Sequence, residues 1–267
     1  MVRIAVAGAA GRMGSRITAL SREYTGLQLA GAFERKGHKD IGKDIGPLVG
    51  IGDTGIQLAD SLEAIIDAVD LIISFTTVEA SLEHLRLASS KGKAMVIGTT
   101  GFSTDAMKEV IELTKKIPCV MASNMSMGVN LLLKVLPDIA RVLGEGYDIE
   151  IIEAHHRMKK DAPSGTALKM AQVIADAVNR NLDEVAVYAR KGIIGERTPK
   201  EIGIQTIRAG DIVGEHTVIF GGLGERIEVT HKVSSRDTFA RGALRAALWL
   251  SGKPAGLYDM QDVLGLK

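Results

Sequence analysis

The chain has 267 residues, 46% of them hydrophobic and 4% aromatic, with 30 glycines; this is the composition of an Ala/Val/Ile/Gly-rich α/β enzyme rather than of a binding module built on exposed rings. Thirty-three Lys and Arg stand against 32 Asp and Glu, so a formal charge of +1 offers no global field for nucleic acid or an anionic membrane. No apolar run approaches the roughly 20 residues of a membrane span, the N-terminus enters a strand without a leader pattern, and the single cysteine, Cys119, lies in an apolar run and excludes an internal disulfide; together these predict a cytoplasmic protein.

In chain order, short apolar runs alternate with amphipathic segments through the first half. At least five strands are predicted, Arg3 to Ala7, Leu27 to Phe33, Asp70 to Phe75, Ala94 to Gly98 and Cys119 to Ala122, with helices near Arg12 to Arg22, Val78 to Ser90 and Thr104 to Lys115. That alternation is the pattern of a parallel sheet covered on both faces. The stretch from Lys36 to Asp60 holds six glycines and Pro47 and reads as a long, mobile loop. After Asn124 the pattern changes to a helix from Gly128 to Leu143 and strands near 148–154, 203–208, 215–220 and 226–233, joined late by Gly-rich turns that suit a mixed or antiparallel sheet. Arg236 to Leu250 is again helical. The expected organisation is a nucleotide-type α/β domain over 1–126, a second α+β domain over 127–235, and a segment over 236–267 that returns to the first, with hinges near Ser126-Met-Gly128 and Ser234-Ser-Arg236.

The first strand runs into Gly8-Ala9-Ala10-Gly11-Arg12-Met13-Gly14 and then a helix, the context that a dinucleotide fingerprint requires. Gly8 allows the tight turn, Gly11 lets backbone approach a pyrophosphate, and Gly14 allows close packing of helix on sheet. A βα turn without a ligand would show similar glycines, but the second strand ends at Glu34-Arg35, placing an acid 20 residues beyond Gly14. Glu34 suits ribose hydroxyls and Arg35 a 2′-phosphate, so NADH and NADPH both remain open. The strand ends Gly98-Thr99-Thr100-Gly101 and Ala122-Ser123-Asn124-Met125-Ser126 read as further cofactor contacts. The fold class is therefore α/β, a Rossmann-type doubly wound parallel sheet with a second α+β domain built on a mixed sheet.

The stretch Glu153-Ala-His-His-Arg-Met-Lys-Lys-Asp-Ala-Pro-Ser-Gly-Thr-Ala-Leu168 crowds acid/base groups, cations and a helix start into sixteen residues. It follows a strand, and Ser164 is a plausible N-cap whose helix offers the N–H groups of Gly165 and Thr166 to a carboxylate or phosphate. His155 and His156 point to opposite faces of an extended segment and have no further ligand at a familiar spacing, so no metal is expected.

These segments, with Asn124-Met-Ser-Met-Gly-Val-Asn130, together resemble the dihydrodipicolinate reductase family along the whole chain. The resemblance implies a cytoplasmic NADH- or NADPH-dependent reductase of lysine and diaminopimelate biosynthesis that forms a homotetramer through its second domain. It implies His155 as proton donor/acceptor and Lys159 as second proton donor, with His156, Lys159, Ser164, Gly165 and Thr166 binding a cyclic dicarboxylate. Gly8, Ala9, Ala10, Gly11, Arg12, Met13, Glu34, Arg35, Gly98, Thr99, Thr100, Ala122, Ser123, Asn124 and Met125 would bind the nicotinamide cofactor, joined by Arg236 and Phe239 from the returning chain. Met158 stands where some members carry a third histidine. Two other readings share the nucleotide end: another two-domain dehydrogenase of a small acid, and a catalytically inactive nucleotide sensor.

Overall fold

The computed structural model describes residues 1–267. The chain divides into two compact units, Met1–Met127 with Arg236–Lys267, and Gly128–Ser235. Its elements in order are β1 (Val2–Ala7), α1 (Arg12–Ser21), β2 (Leu27–Phe33), α2 (Ile45–Val49), β3 (Leu58–Ala59), β4 (Leu71–Ser74), α3 (Val78–Ser90), β5 (Ala94–Ile97), α4 (Thr104–Thr114), β6 (Pro118–Met121), α5 (Met127–Leu143), β7 (Asp148–His155), α6 (Gly165–Ala177), α7 (Leu182–Val185), β8 (Ala186–Val187), β9 (Ile202–Arg208), β10 (Gly214–Gly221), β11 (Arg226–Val233), α8 (Asp237–Leu250), β12 (Gly256–Tyr258) and α9 (Met260–Leu264).

The first unit is built on seven parallel strands ordered β12-β6-β5-β4-β1-β2-β3. This is the doubly wound order 3-2-1-4-5-6 with one strand added beyond β6. The central strands are buried on both faces because they are largely apolar, as in Ile72, Ile73, Val96 and Ile97. One face packs Ile4, Val6 and Ile17 against Ala243, Leu244 and Ala247 of α8; the other packs Ile72 and Met95 against Leu85 of α3 and Val110 of α4. Thr77 and Ser103 start α3 and α4 as N-caps, their hydroxyls accepting from Ala80 N–H (3.3 Å) and Ala106 N–H (3.2 Å). The helix predicted over Arg236 to Leu250 belongs to this unit, and a Cβ at Gly242 would stand 1.8 Å from the Met125 carbonyl oxygen, so only glycine lets α8 lie this close to the end of the sheet.

Two features differ from the sequence expectation. Lys36–Asp60 is not structureless: Asp44 caps α2 and its carboxylate accepts from Gly46 N–H (2.8 Å), Thr54 N–H (3.0 Å), Thr54 Oγ1 (2.7 Å) and Gly55 N–H (2.6 Å). Those bonds, with Ile45 and Leu58 fully buried, pin the segment in a way its glycine content conceals. The C-terminus adds β12 and α9, which were not foreseen. Their signals lie in the Asp259 capping box and in Tyr258, which meets Trp249 edge-on at 5.2 Å.

The second unit carries a mixed five-stranded sheet, β11-β10-β7-β9-β8, antiparallel across β11, β10 and β7 and parallel across β7, β9 and β8. One face is covered by α5 and α6, with Ile149, Ile151, Val218 and Phe220 packed against Leu136, Met170 and Ile174. No helix in the chain is long and apolar enough to cross a membrane. Cys119 is fully buried, and burial pushes its thiol up to about 12, so it has no thiolate to react with at neutral pH.

Candidate active site

The glycine turn joins β1 to α1. Gly8 adopts φ +61°, Gly11 N–H donates to the Gly8 carbonyl (2.9 Å), and a Cβ at Gly14 would stand 2.0 Å from that same oxygen. The helix start is thus drawn against the strand end, leaving its first N–H groups available to an anion. Glu34, at the end of β2, accepts from Ala10 N–H (3.1 Å), which fixes the acid beside the turn.

Two concavities are lined by residues of this turn. One, of about 550 Å³, is lined by Gly8, Gly11, Glu34, Arg35, Lys36, Thr76 and His84 among others; the second, of about 300 Å³, is lined by Arg12, Met13, Phe75, Gly98, Ser123, Asn124, Met125, Arg236 and Phe239. Phe75 lines both, and a Cβ at Gly98 would lie 2.1 Å from its ring, so Gly98 makes room for the aromatic wall between them. Most of the residues expected at the cofactor therefore meet around one pair of cavities. Ala9 is fully buried, and Thr99 turns its hydroxyl inward to Ser81 Oγ (2.7 Å) and Thr76 N–H (3.0 Å), tying two strand ends together. Thr100 is exposed, and neither it nor Ala122 lines either cavity.

In the second unit, β7 ends at His155 and α6 begins at Gly165, so the sixteen-residue stretch is a strand, loop and helix start. Ser164 is the N-cap, its hydroxyl accepting from Ala167 N–H (3.1 Å). A Cβ at Gly165 would meet nothing within 4 Å, so the first turn of α6 is open. Lys159 reaches Asp161 (2.8 Å), which pulls the Asp161 carboxyl below its usual range through that hydrogen bond. His156 is half-buried beside this loop, and Met158 is 75% exposed.

Beneath the loop lies a residue to which the sequence reading gave no role. Glu153 has no exposed side-chain surface, yet it accepts five hydrogen bonds: Ser164 N–H (3.0 Å), Thr206 Oγ1 (3.2 Å), both terminal nitrogens of Arg208 (2.8 Å each), and His155, whose Nδ1 lies 2.6 Å away. Burial alone would raise its carboxyl, but Arg208, His155 and Ser164 together hold it down at about 2. His155 moves below the ordinary histidine range because burial outweighs the pull of Glu153, and the charges of Lys159 and Arg208 add to burial. His216, also missed, is 4% exposed; its Nε2 lies 3.1 Å from Ser164 Oγ, its ring meets His155 edge-on at 5.3 Å, and burial lowers it to about 4. The strand register places Thr206, Glu153, His216 and His231 in one row across four strands. The signal for this row was a period of two, polar residues at inward positions of otherwise apolar strands, visible once the pairing is known. No group of three or more metal-ligating side chains is present.

A dinucleotide-type parallel sheet, a cavity pair at its glycine turn, and a carboxylate-anchored histidine beside an open helix start define a nucleotide-dependent oxidoreductase. The family profile described as "Dihydrodipicolinate reductase, N-terminus" matches residues 2–125, and that described as "Dihydrodipicolinate reductase, C-terminus" matches residues 128–264. Relatives named 4-hydroxy-tetrahydrodipicolinate reductase from Syntrophobacter fumaroxidans and Geobacter sulfurreducens are 61% and 53% identical over all 267 residues, covering 100% of both chains in each case. Among solved structures, a dipicolinate-bound dihydrodipicolinate reductase from Paenisporosarcina sp. TG-14 is 26% identical with a TM-score of 0.74, covering 98% of each chain. An amine dehydrogenase from Mycobacterium smegmatis, 13% identical over 96% of this chain and 94% of that one with a TM-score of 0.59, shares the fold. The chain belongs to the dihydrodipicolinate reductase family.

Proposed function

We propose that the protein reduces 4-hydroxy-tetrahydrodipicolinate to tetrahydrodipicolinate in diaminopimelate and lysine biosynthesis, with NADH or NADPH as reductant, in the cytoplasm. The observation that carries the reading is the pairing of His155 with buried Glu153 at the mouth of the open first turn of α6. The nicotinamide cofactor supplies the hydride. The fit for that cofactor rests on Gly8, Gly11 and Gly14 drawing the α1 start against β1, on Glu34 held beside the turn, and on Arg35, whose guanidinium has no ion partner and lines the larger cavity. Gly8 to Met13 would hold the pyrophosphate; Glu34 and Arg35 would take the adenosine ribose or its 2′-phosphate; Gly98, Ser123 to Met125, Arg236 and Phe239 would enclose the nicotinamide end.

The substrate's carboxylates match Lys159 and the N–H groups at Gly165 and Thr166; a cation about 4 Å from a carboxylate contributes roughly 4 kcal/mol at an effective dielectric of 20, before desolvation. His156 and Ser164 complete that side. Once the 4-hydroxyl has left with a proton as water, a carbon of the conjugated ring accepts hydride, its neighbour becomes electron-rich and takes a proton from His155 Nε2, and Lys159 is the second donor. The half-exposed outer face of the second sheet, with Ile152, Ile219 and Ile207 (46% exposed), supports burial against another copy in a homotetramer.

The test follows the absorbance of NADH and NADPH with enzymatically generated 4-hydroxy-tetrahydrodipicolinate, comparing wild type with His155→Ala and Lys159→Ala. Turnover that falls about 10²- to 10⁴-fold in both variants, with cofactor binding retained, supports the reading. Tight cofactor binding by wild type without turnover would overturn it.

A further inference from the structure

We propose that Glu153 is a positioning residue for the reduction: it holds the His155 imidazole in the tautomer with hydrogen on Nδ1, so that Nε2 is the ring atom that exchanges a proton with the substrate, and its charge favours the protonated ring. The inference rests on the reading of His155 as proton donor, and its geometry stands apart from that reading. The Nδ1 atom is 2.6 Å from Glu153 Oε2, and a carboxylate with no exposed surface accepts there and does not donate. The opposite nitrogen faces Gly214, the residue across the strand pair, where an added Cβ would stand 3.1 Å from Nε2. Glycine at 214 therefore places no side chain beside Nε2.

The charge of Glu153 is secured from other elements. Arg208 on β9 donates to both oxygens and also to the Asp161 carbonyl (2.6 Å), linking the carboxylate to the loop that carries Lys159. Ser164 N–H, at the entry to α6, donates to Oε1, so one carboxylate orients the histidine and the start of the helix together. The groups facing His155 are then Glu153 on its own strand, Arg208 from β9, His216 from β10 and Lys159 from the following loop. Arg208 and Lys159 oppose a charged imidazole, and His216 is held neutral by burial; Glu153 alone favours the protonated ring. Without it, two cations and a buried setting would leave a ring that rarely carries the proton it must deliver.

The experiment has two arms. Wild-type protein labelled with ¹⁵N-histidine is examined by long-range ¹H–¹⁵N correlation, with the His155 signals assigned by comparison with His155→Ala. The neutral ring is expected as the Nδ1–H tautomer; an Nε2–H tautomer overturns the proposal, whatever the activity. In Glu153→Gln, kcat is expected to fall about 10- to 100-fold with the dicarboxylate KM within about threefold, and the fall of activity at high pH is expected to move about one unit or more toward acid. An unchanged pH profile in a folded variant overturns the proposal; should the variant fail to fold, the wild-type tautomer decides. Wild-type protein that shows the Nδ1–H tautomer but no turnover sinks the proposed reaction and leaves the geometric role of Glu153 in place.

Discussion

Replacing Gly14 with alanine tests whether the turn works as a distance device. The added Cβ would stand 2.0 Å from Gly8 O, 2.7 Å from Gly8 C and 2.8 Å from the Ala9 Cα, all backbone atoms that no rotamer change can move. Ordinary contact begins near 3.4 Å, so α1 must retreat by about 1.4 Å from the end of β1. Overpacking of this kind costs about 1–3 kcal/mol of stability. A shift near 1 Å at a site that positions a reactant costs on the order of 100-fold in rate, and the N–H groups at the helix start withdraw from the phosphates by the same displacement. The measurement pairs denaturant unfolding with titration of NADH binding. Gly165→Ala is the control, because a Cβ there meets nothing within 4 Å and its φ is not left-handed. Gly14→Ala is expected to lower the unfolding midpoint and weaken NADH at least tenfold, while Gly165→Ala leaves both unchanged. Wild-type NADH affinity and midpoint in Gly14→Ala would refute the claim that close helix–strand approach makes the site.

Arg35→Ala should weaken NADPH about 10- to 100-fold, the loss of one charged hydrogen-bonding partner, and leave NADH within about threefold; equal loss for both in a binding titration would contradict the assignment of Arg35 to the 2′-phosphate. Ser164→Ala removes the cap of α6 and the protein partner of His216 Nε2, while Nδ1 of that ring already has none, so a loss of about 2–4 kcal/mol is expected by denaturant unfolding; a loss below about 0.5 kcal/mol would contradict it. His84 and His216 are both held down at about 4 by burial, against about 6.5 in the unfolded chain. Between those values the unfolded chain binds more protons, so stability should fall as pH drops from about 6.5 to about 4, by up to about 3 kcal/mol per ring. The depressed Glu153 carries the loss further, from about 4.5 toward about 2. Equal unfolding midpoints at neutral and mildly acid pH would refute this.

The parallel sheet was legible because burial on both faces forces unbroken apolar runs, and β2 and α3 fall at the predicted bounds of Leu27–Phe33 and Val78–Ser90. The family and the reaction class were legible in the glycine turn and in the stretch from Glu153 to Leu168. What escaped depends on long-range pairing. Asp44 reads as a loop acid until Thr54 and Gly55 are folded over it, and Glu153 reads as a strand acid until Arg208, 55 residues on, is set beside it. His216 stands in an alternating strand where an inward polar residue looks like an interruption of the pattern. Its place opposite Glu153 follows from the β7–β10 register, and local sequence does not encode that register.

The chain uses one device twice. Each unit ends a strand in a loop that opens a helix toward an anion, at Gly8 to Gly14 and again at His155 to Gly165. The first is sparse in side-chain chemistry, as would suit the proposed role of holding a pyrophosphate without reacting with it: Ala9 and Ala10 flank the turn, and Glu34 is bonded to Ala10 N–H. The second places an acid/base pair in the same geometry, and this requires a buried carboxylate. A buried charge that loses its partner costs about 3–5 kcal/mol, which explains why Glu153 is bound from two strands and the α6 cap at once: β7 supplies His155, β9 supplies Thr206 and Arg208, and the cap supplies Ser164 N–H, while His216 of β10 bonds the Ser164 hydroxyl. The helix start proposed to receive the substrate and the imidazole proposed to protonate it therefore share one anchor. In the proposed reaction, loss of that anchor would therefore disturb the carboxylate site and the proton donor together.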